Sequence, residues 1–211
     1  MISHPHKCIF VHIPKCGGSS IEDVIWPANE RTEANLWMGF VEPMQNKYQT
    51  GGLQHLLARQ IRQEVGHETF DRYFKFAFVR NPWDKAASQF SYTMQSRPDL
   101  RQFASIGDNA SFEEYLDRIG GTKHVQWEKQ VEFIHDETGQ LLVDYVGRFE
   151  SFERDVGNVL TRLGITTTSI PHVNRSDRTR FPKYTAEARD RIAEMYAADI
   201  AAFGYSCPWR L

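Results

Sequence analysis

Two short segments of this 211-residue chain carry side chains that bind oxyanions, at spacings that let them do so. The first is IFVHIPKCGGSSIE, residues 9–22. Gly17 and Gly18 lack side chains, so a turn at that point can bend sharply and aim its N–H groups inward. Ser19 and Ser20 stand where a helix begins, and the hydroxyls, N–H groups and dipole of a helix start favour an anion. Lys15 adds a full positive charge at the lip. Paired glycines alone read as a plain strand-to-helix turn. Lysine, two glycines and two serines directly after an apolar strand favour an anion site. The lysine precedes the glycines, whereas the nucleotide-binding P-loop places it after them.

The second segment is FKFAFVRNPWDKAASQF, residues 74–90. Arg80 falls at the carboxyl end of an apolar run. Ser88 lies eight positions on, about two turns into the following helix. A guanidinium fork and a hydroxyl so placed can hold one phosphate. Taken alone, Arg80 could equally pair with an acid and Ser88 cap a turn.

The elements that must position these residues follow from periodicity and breakers. Cys8–Ile13 and Phe74–Val79 read as short buried strands, and Gln140–Val146 as a third. Ser19–Trp26 reads as a helix stopped by Pro27, and Gln54–Val65 as a helix closed by Gly66. Asn81 can cap a helix that starts at Pro82, with Asp84 in its first turn. Ser111 and Glu114 have capping-box spacing. Phe152–Leu163 is a helix ended by Gly164, and Thr185–Phe203 a long amphipathic one ended by Gly204, with Ile192, Tyr196, Ile200 and Phe203 on one face. Residues 29–52 and 165–184 read as polar irregular segments. Strands alternating with helices imply an α/β fold with a short central parallel sheet flanked by helices on both sides. The length suits a single domain over residues 1–211.

Composition narrows the class. Hydrophobic residues make up 41% and the formal net charge is -2, which fits a folded chain and argues against general nucleic-acid binding. Cys8, Cys16 and Cys207 form neither a disulfide framework nor a zinc pattern, and point to reduced cytoplasmic thiols. No apolar run approaches membrane length.

The two segments together resemble PAPS-dependent sulfotransferases, in the carbohydrate-sulfotransferase-like branch, where PAPS is 3′-phosphoadenosine 5′-phosphosulfate. HIPKCGGSSIE is similar to that family's 5′-phosphosulfate loop. FAFVRNPWDKAASQF is similar to its 3′-phosphate motif of arginine, asparagine and proline, a spacer, then serine. VDYVGRFESFERD, HVNRSDR and DIAAFGY extend the resemblance over nearly the whole chain. It implies a P-loop-like three-layer sandwich and PAPS as co-substrate, with no metal. Lys15, Cys16, Gly17, Gly18, Ser19 and Ser20 would hold the 5′-phosphosulfate end, and Arg80 and Ser88 the 3′-phosphate, with Arg175 closing on it. Lys85 stands where many relatives carry arginine, a change expected to be tolerated because it is not a phosphate-reading position. The lack of an amino-terminal anchor suggests a bacterial-type cytoplasmic enzyme.

Sulfuryl transfer needs an in-line acceptor oxygen, removal of its proton, and charge stabilisation on the leaving phosphate; phosphoryl transfer is the nearest template. Lys15 can neutralise the oxygen that bridges sulfur and phosphorus. Histidine is the usual base near neutrality. Of the eight histidines, His12 reads as a structural strand residue. His55 stands between the two phosphate motifs, as a catalytic histidine does in this branch, and is the expected base; His172 is the next candidate. The expected acceptor is a glycan or other small hydroxyl compound, and Trp37 and Tyr48 would suit stacking on a sugar or a place in the core. Two other readings stay open. One is a magnesium-dependent phosphotransferase using Asp144, since LLVD resembles an apolar strand ending in a metal-binding acid. The other is a nucleotide-binding protein without catalysis. For Asp144, a strand-end carboxylate that pairs or caps is the favoured reading. For Asn174, Arg178, Arg180 and Lys183 it is a solvated loop.

Overall fold

The computed structural model describes residues 1–26, 31–36, 53–167 and 182–209. Arg175, His172, Trp37, Tyr48, Asn174, Arg178 and Arg180 lie outside the described residues. The chain forms two compact units, Met1–Val79 with Gln130–Asn174 and Arg80–Lys129 with Arg175–Leu211.

The first unit holds the sheet. Its strands are β1 (Ile2–Ser3), β2 (Cys8–Val11), β3 (Phe74–Val79) and β4 (Tyr145–Arg148), in the order β1-β2-β3-β4. β2, β3 and β4 run parallel, with Phe10 opposite Phe76 and Phe76 opposite Tyr145. β1 adds an antiparallel edge. Helices α1 (Gly18–Ile25), α2 (Ala58–Val65), α3 (His67–Arg72), α7 (Gln130–Ile134) and α8 (Phe152–Leu163) complete the unit. The result is the α/β arrangement with a short parallel sheet flanked by helices that the alternation of patterns implies. β2 and nearly all of β3 are buried, as continuous apolar runs in parallel strands should be. Phe10 stacks on Phe76 with centroids 5.0 Å apart, and Phe78 meets Phe152 edge-on at 5.6 Å. The Phe78 ring also explains Gly147 in β4: a Cβ there would stand 2.5 Å from it.

Several boundaries differ from the sequence reading: β2 ends at Val11, short of Ile13, and α1 runs one residue earlier at both ends. The third strand begins at Tyr145, and Leu141 makes only a lone antiparallel bridge to His135. His55 closes a 3-10 turn, Leu53–His55, and α2 starts at Ala58, where Gln60 Oε1 accepts the Leu57 N–H at 2.8 Å. α3 follows α2 directly after Gly66, whose φ of 81° turns the chain.

The second unit is helical: α4 (Pro82–Ser96), α5 (Pro98–Phe103), α6 (Phe112–Gly120), α9 (Ala186–Met195) and α10 (Ala197–Phe203). Both expected caps are present. Asn81 accepts the Trp83 N–H at 3.1 Å; Ser111 Oγ accepts from Glu114 N at 3.2 Å while Glu114 accepts from Ser111 N at 2.8 Å. The core gathers Trp83, Leu100, Phe112, Tyr115, Leu116, Trp127, Ile192 and Tyr196. Its polar tips are satisfied: the Trp127 indole donates to the Tyr115 hydroxyl at 2.9 Å, and the Tyr196 hydroxyl to the Trp127 carbonyl at 3.1 Å. The expected long final helix is two helices, because Tyr196 leaves helical geometry (φ −113°, ψ 27°) where its ring enters the core.

Candidate active site

The turn expected to take an anion, residues 14–17, lies between β2 and α1. Lys15 (φ 66°) and Gly17 (φ 84°, ψ 12°) are both left-handed, and such alternation converges backbone N–H groups on an anion. For Lys15 that conformation costs about 1–3 kcal/mol, which the surrounding turn must hold in place. Gly17 stands at the N-cap of α1 and has no side chain with which to cap it. The two glycines are needed for different reasons. Besides its positive φ, a Cβ on Gly17 would stand 2.6 Å from the Phe152 ring and 3.2 Å from Phe149. A Cβ on Gly18 would stand 2.0 Å from Nε2 of His12. Aromatic rings from β4's end and from β2's end thus press the turn from two directions.

Lys15 and Ser19 are half-buried, and Ser20 is buried. Cys16 faces inward, its thiol donating to the Pro14 carbonyl at 3.6 Å and to Oε1 of buried Gln130 at 3.4 Å. Cys16 therefore offers an anion its backbone and not its sulfur. The thiol pins the turn to the start of α7.

His55 lies beside this turn. Its Nδ1 is 3.1 Å from the His12 carbonyl. A carbonyl only accepts, so Nδ1 donates, and the neutral ring keeps its lone pair on Nε2. Burial, and then the charge on His12, push the His55 imidazole down to about 3. The His12 and His55 ring centroids are 4.5 Å apart. His12 in turn has Nδ1 2.6 Å from Glu22 Oε1, with both residues buried. Burial raises the Glu22 carboxyl, but the His12 charge and hydrogen bond outweigh it and hold the group below the usual carboxylate range.

Arg80 and Ser88 lie in the second unit, at the entry to α4 and within it; both are buried, at 5% and 1% exposure. Lys85 on the same helix points elsewhere. Its Nζ lies 3.5 Å from the Glu128 carbonyl and 5.4 Å from the centre of the Tyr196 ring. Those contacts tie Lys85 to the helical unit's own core. Asp144 pairs with Lys75: its carboxylate accepts from Nζ at 3.0 Å and from the Lys75 backbone N–H at 2.8 Å. The acid that a magnesium-dependent phosphotransferase would use is engaged in joining β3 to the start of β4. Among the described residues no group of three His, Cys, Asp or Glu side chains could hold a metal ion, and no helix is long and apolar enough to cross a membrane.

The structure brings Lys15, Cys16, Gly17, Gly18, Ser19, Ser20 and His55 together in one unit. It adds His12, Glu22, Gln130, Phe149 and Phe152, which motif reading did not single out for the site. Glu22, ten residues beyond His12 and one turn into α1, is the one addition with a local signal, an acid on the helix face that follows the turn.

The chain is similar to known proteins along its whole length. The model of the sulfotransferase family matches residues 1–206. Carbohydrate sulfotransferase 11 of Rattus norvegicus is 22% identical over 99% of this chain and 67% of its own length. Carbohydrate sulfotransferase 10 of Danio rerio is 25% identical over 96% of this chain and 65% of its own. An uncharacterised protein of Archaeoglobus fulgidus is 29% identical over 51% of this chain. The chain thus spans about two thirds of the length of those carbohydrate sulfotransferases. With its parallel sheet, the glycine turn after β2 and a family match from residue 1 to 206, the chain belongs to the sulfotransferase family.

Proposed function

We propose that this protein transfers a sulfuryl group from PAPS to a hydroxyl of a carbohydrate or another small alcohol. The observation that carries the reading is the Lys15–Ser20 turn: two left-handed residues, a helix start with glycine at its N-cap and a lysine at one point. The turn takes the 5′-phosphosulfate end, and Arg80 and Ser88 take the 3′-phosphate, with Arg175 as a further contact. The acceptor oxygen attacks sulfur. A new S–O bond forms as the bond to the bridging phosphate oxygen breaks, and that oxygen leaves with the electron pair on adenosine 3′,5′-bisphosphate. His55 Nε2 takes the acceptor's proton, and Lys15 offsets the charge that grows on the leaving oxygen. The carbohydrate acceptor is supported by the named relatives, which are carbohydrate sulfotransferases.

The reading is tested by nucleotide preference. A charge-assisted contact is worth about 1.5–3 kcal/mol. Adenosine 3′,5′-bisphosphate should therefore bind at least about tenfold more tightly than adenosine 5′-monophosphate in calorimetry. Equal affinities would remove Arg80 and Ser88 from donor recognition, and with them the case for PAPS.

A further inference from the structure

We propose that the buried Glu22–His12 pair is a positioning unit that joins the anion turn to His55: Glu22 orients the His12 ring against Gly18, and the His12 carbonyl fixes the tautomer of His55. The inference rests on the reading of His55 as the acceptor's base and adds a residue that acts through it.

The geometry makes residue 12 a junction. Its main-chain carbonyl receives the Nδ1–H of His55 at 3.1 Å. Its ring is fixed from three sides. Glu22 Oε1 lies 2.6 Å from Nδ1, Phe10 stacks beneath with centroids 5.3 Å apart, and Nε2 abuts the place where a Cβ on Gly18 would be. A base delivers or accepts a proton at one nitrogen only, and the hydrogen bond on the other nitrogen decides which one that is. Here that bond comes from β2's own continuation, so the residue that leads into the anion turn also sets the base. Rotation of the His12 ring would disturb Gly18 and His55 at once, and the carboxylate of Glu22 opposes it.

The charges act in the same place. The groups that act on His55 are the His12 ring, Glu22 on α1 and the terminal amino group of Met1 beside β2. Burial and the His12 charge lower His55, whereas Glu22 raises it and the Met1 amine lowers it slightly. Burial is the larger of the two lowering causes and His12 the second. Negative charge seated on the turn moves His55 upward, toward the range in which it can hold a proton.

The test is ring NMR of the full chain with labelled histidine, in the absence of nucleotide. Wild-type His55 should carry its proton on Nδ1 and stay neutral to below about pH 5, given its value of about 3. His12→Phe keeps the ring shape and the backbone carbonyl, and removes both the positive charge and the partner that holds the Glu22 carboxyl low. The His55 midpoint should then rise by about one unit or more. Adding Glu22→Gln removes the carboxyl that would otherwise stay buried without its partner, and the rise should persist at least in part. His12→Gln repeats the test with a smaller side chain should the phenyl ring disturb folding. An unchanged midpoint without His12, or a wild-type proton on Nε2, overturns the proposal. No donor or acceptor is needed for this measurement. Expected titrations without any sulfuryl transfer from PAPS would leave the pair standing and remove the proposed function. Transfer with unmoved titrations would do the reverse.

Discussion

Lys15 and His55 differ in when their charge matters. On the proposed reading Lys15 meets the donor before reaction and more strongly as the phosphate oxygen leaves, so Lys15→Ala should weaken both nucleotide affinity and the chemical step. On the same reading His55 touches only the acceptor's proton. His55→Ala should leave affinity nearly unchanged and slow transfer by about 10²–10⁴-fold, the usual worth of general-base catalysis. Calorimetry and single-turnover rates on the two variants separate the roles. Near wild-type turnover in His55→Ala would make it a packing histidine and turn attention to His172. The strand–turn–helix geometry at residues 14–18 was legible, because paired glycines after an apolar strand mark a sharp turn. The role of His12 was not. A histidine in an apolar strand reads as a packed ring, and only the folded turn brings Glu22 to its Nδ1 and His55 to its carbonyl.

Among the elements, β4 and α8 contain glycines that should respond in opposite ways. Gly147 faces the Phe78 ring at 2.5 Å from a would-be Cβ, so Gly147→Ala overpacks the sheet's face and should cost about 1–3 kcal/mol. Gly157 sits inside α8 with nothing within 4 Å of its would-be Cβ. Gly157→Ala should stabilise by about 0.5–1 kcal/mol, through the helix preference for alanine. Urea unfolding of both variants checks the pair; a destabilised Gly157→Ala would mean that α8 is not a regular helix there. β3 and α8 were readable to the residue, since an apolar run and an αL glycine mark their ends. β1 was not, because a two-residue edge strand has no period. α3 and α5 are six residues each and too short for one. The break at Tyr196 came from a tertiary demand, a ring drawn to the Trp127 carbonyl, inside a sequence with unbroken helical periodicity.

At the scale of the whole molecule, two histidines make the fold sensitive to acid. Burial pushes His124 down to about 4, helped by Arg97, and His55 down to about 3, from an ordinary 6.5. His124 Nδ1 also accepts the Gln126 N–H at 3.2 Å, a bond the protonated ring would lose. Between about pH 6.5 and those lower values the unfolded chain takes up protons that the folded chain refuses. Stability should be level above about 6.5 on this account and fall as pH drops through that window. His124→Asn keeps a cap acceptor and removes one titration. Its Tm should fall less steeply between pH 6.5 and 4 than that of the wild type, and equal slopes would show that His124 titrates normally. The order of the chain within the two units also has a consequence for how the protein is made. Neither unit is continuous: the first needs residues from both sides of 80–129, and the second needs the chain's last segment. β3 cannot meet β4 until residues 145–148 have left the ribosome, so its outer edge waits while some seventy residues are added. Long-separation pairing of this kind is slow and leaves strand edges exposed. The nascent sheet, Phe74–Val79 above all, is where a chaperone would be expected to bind during synthesis.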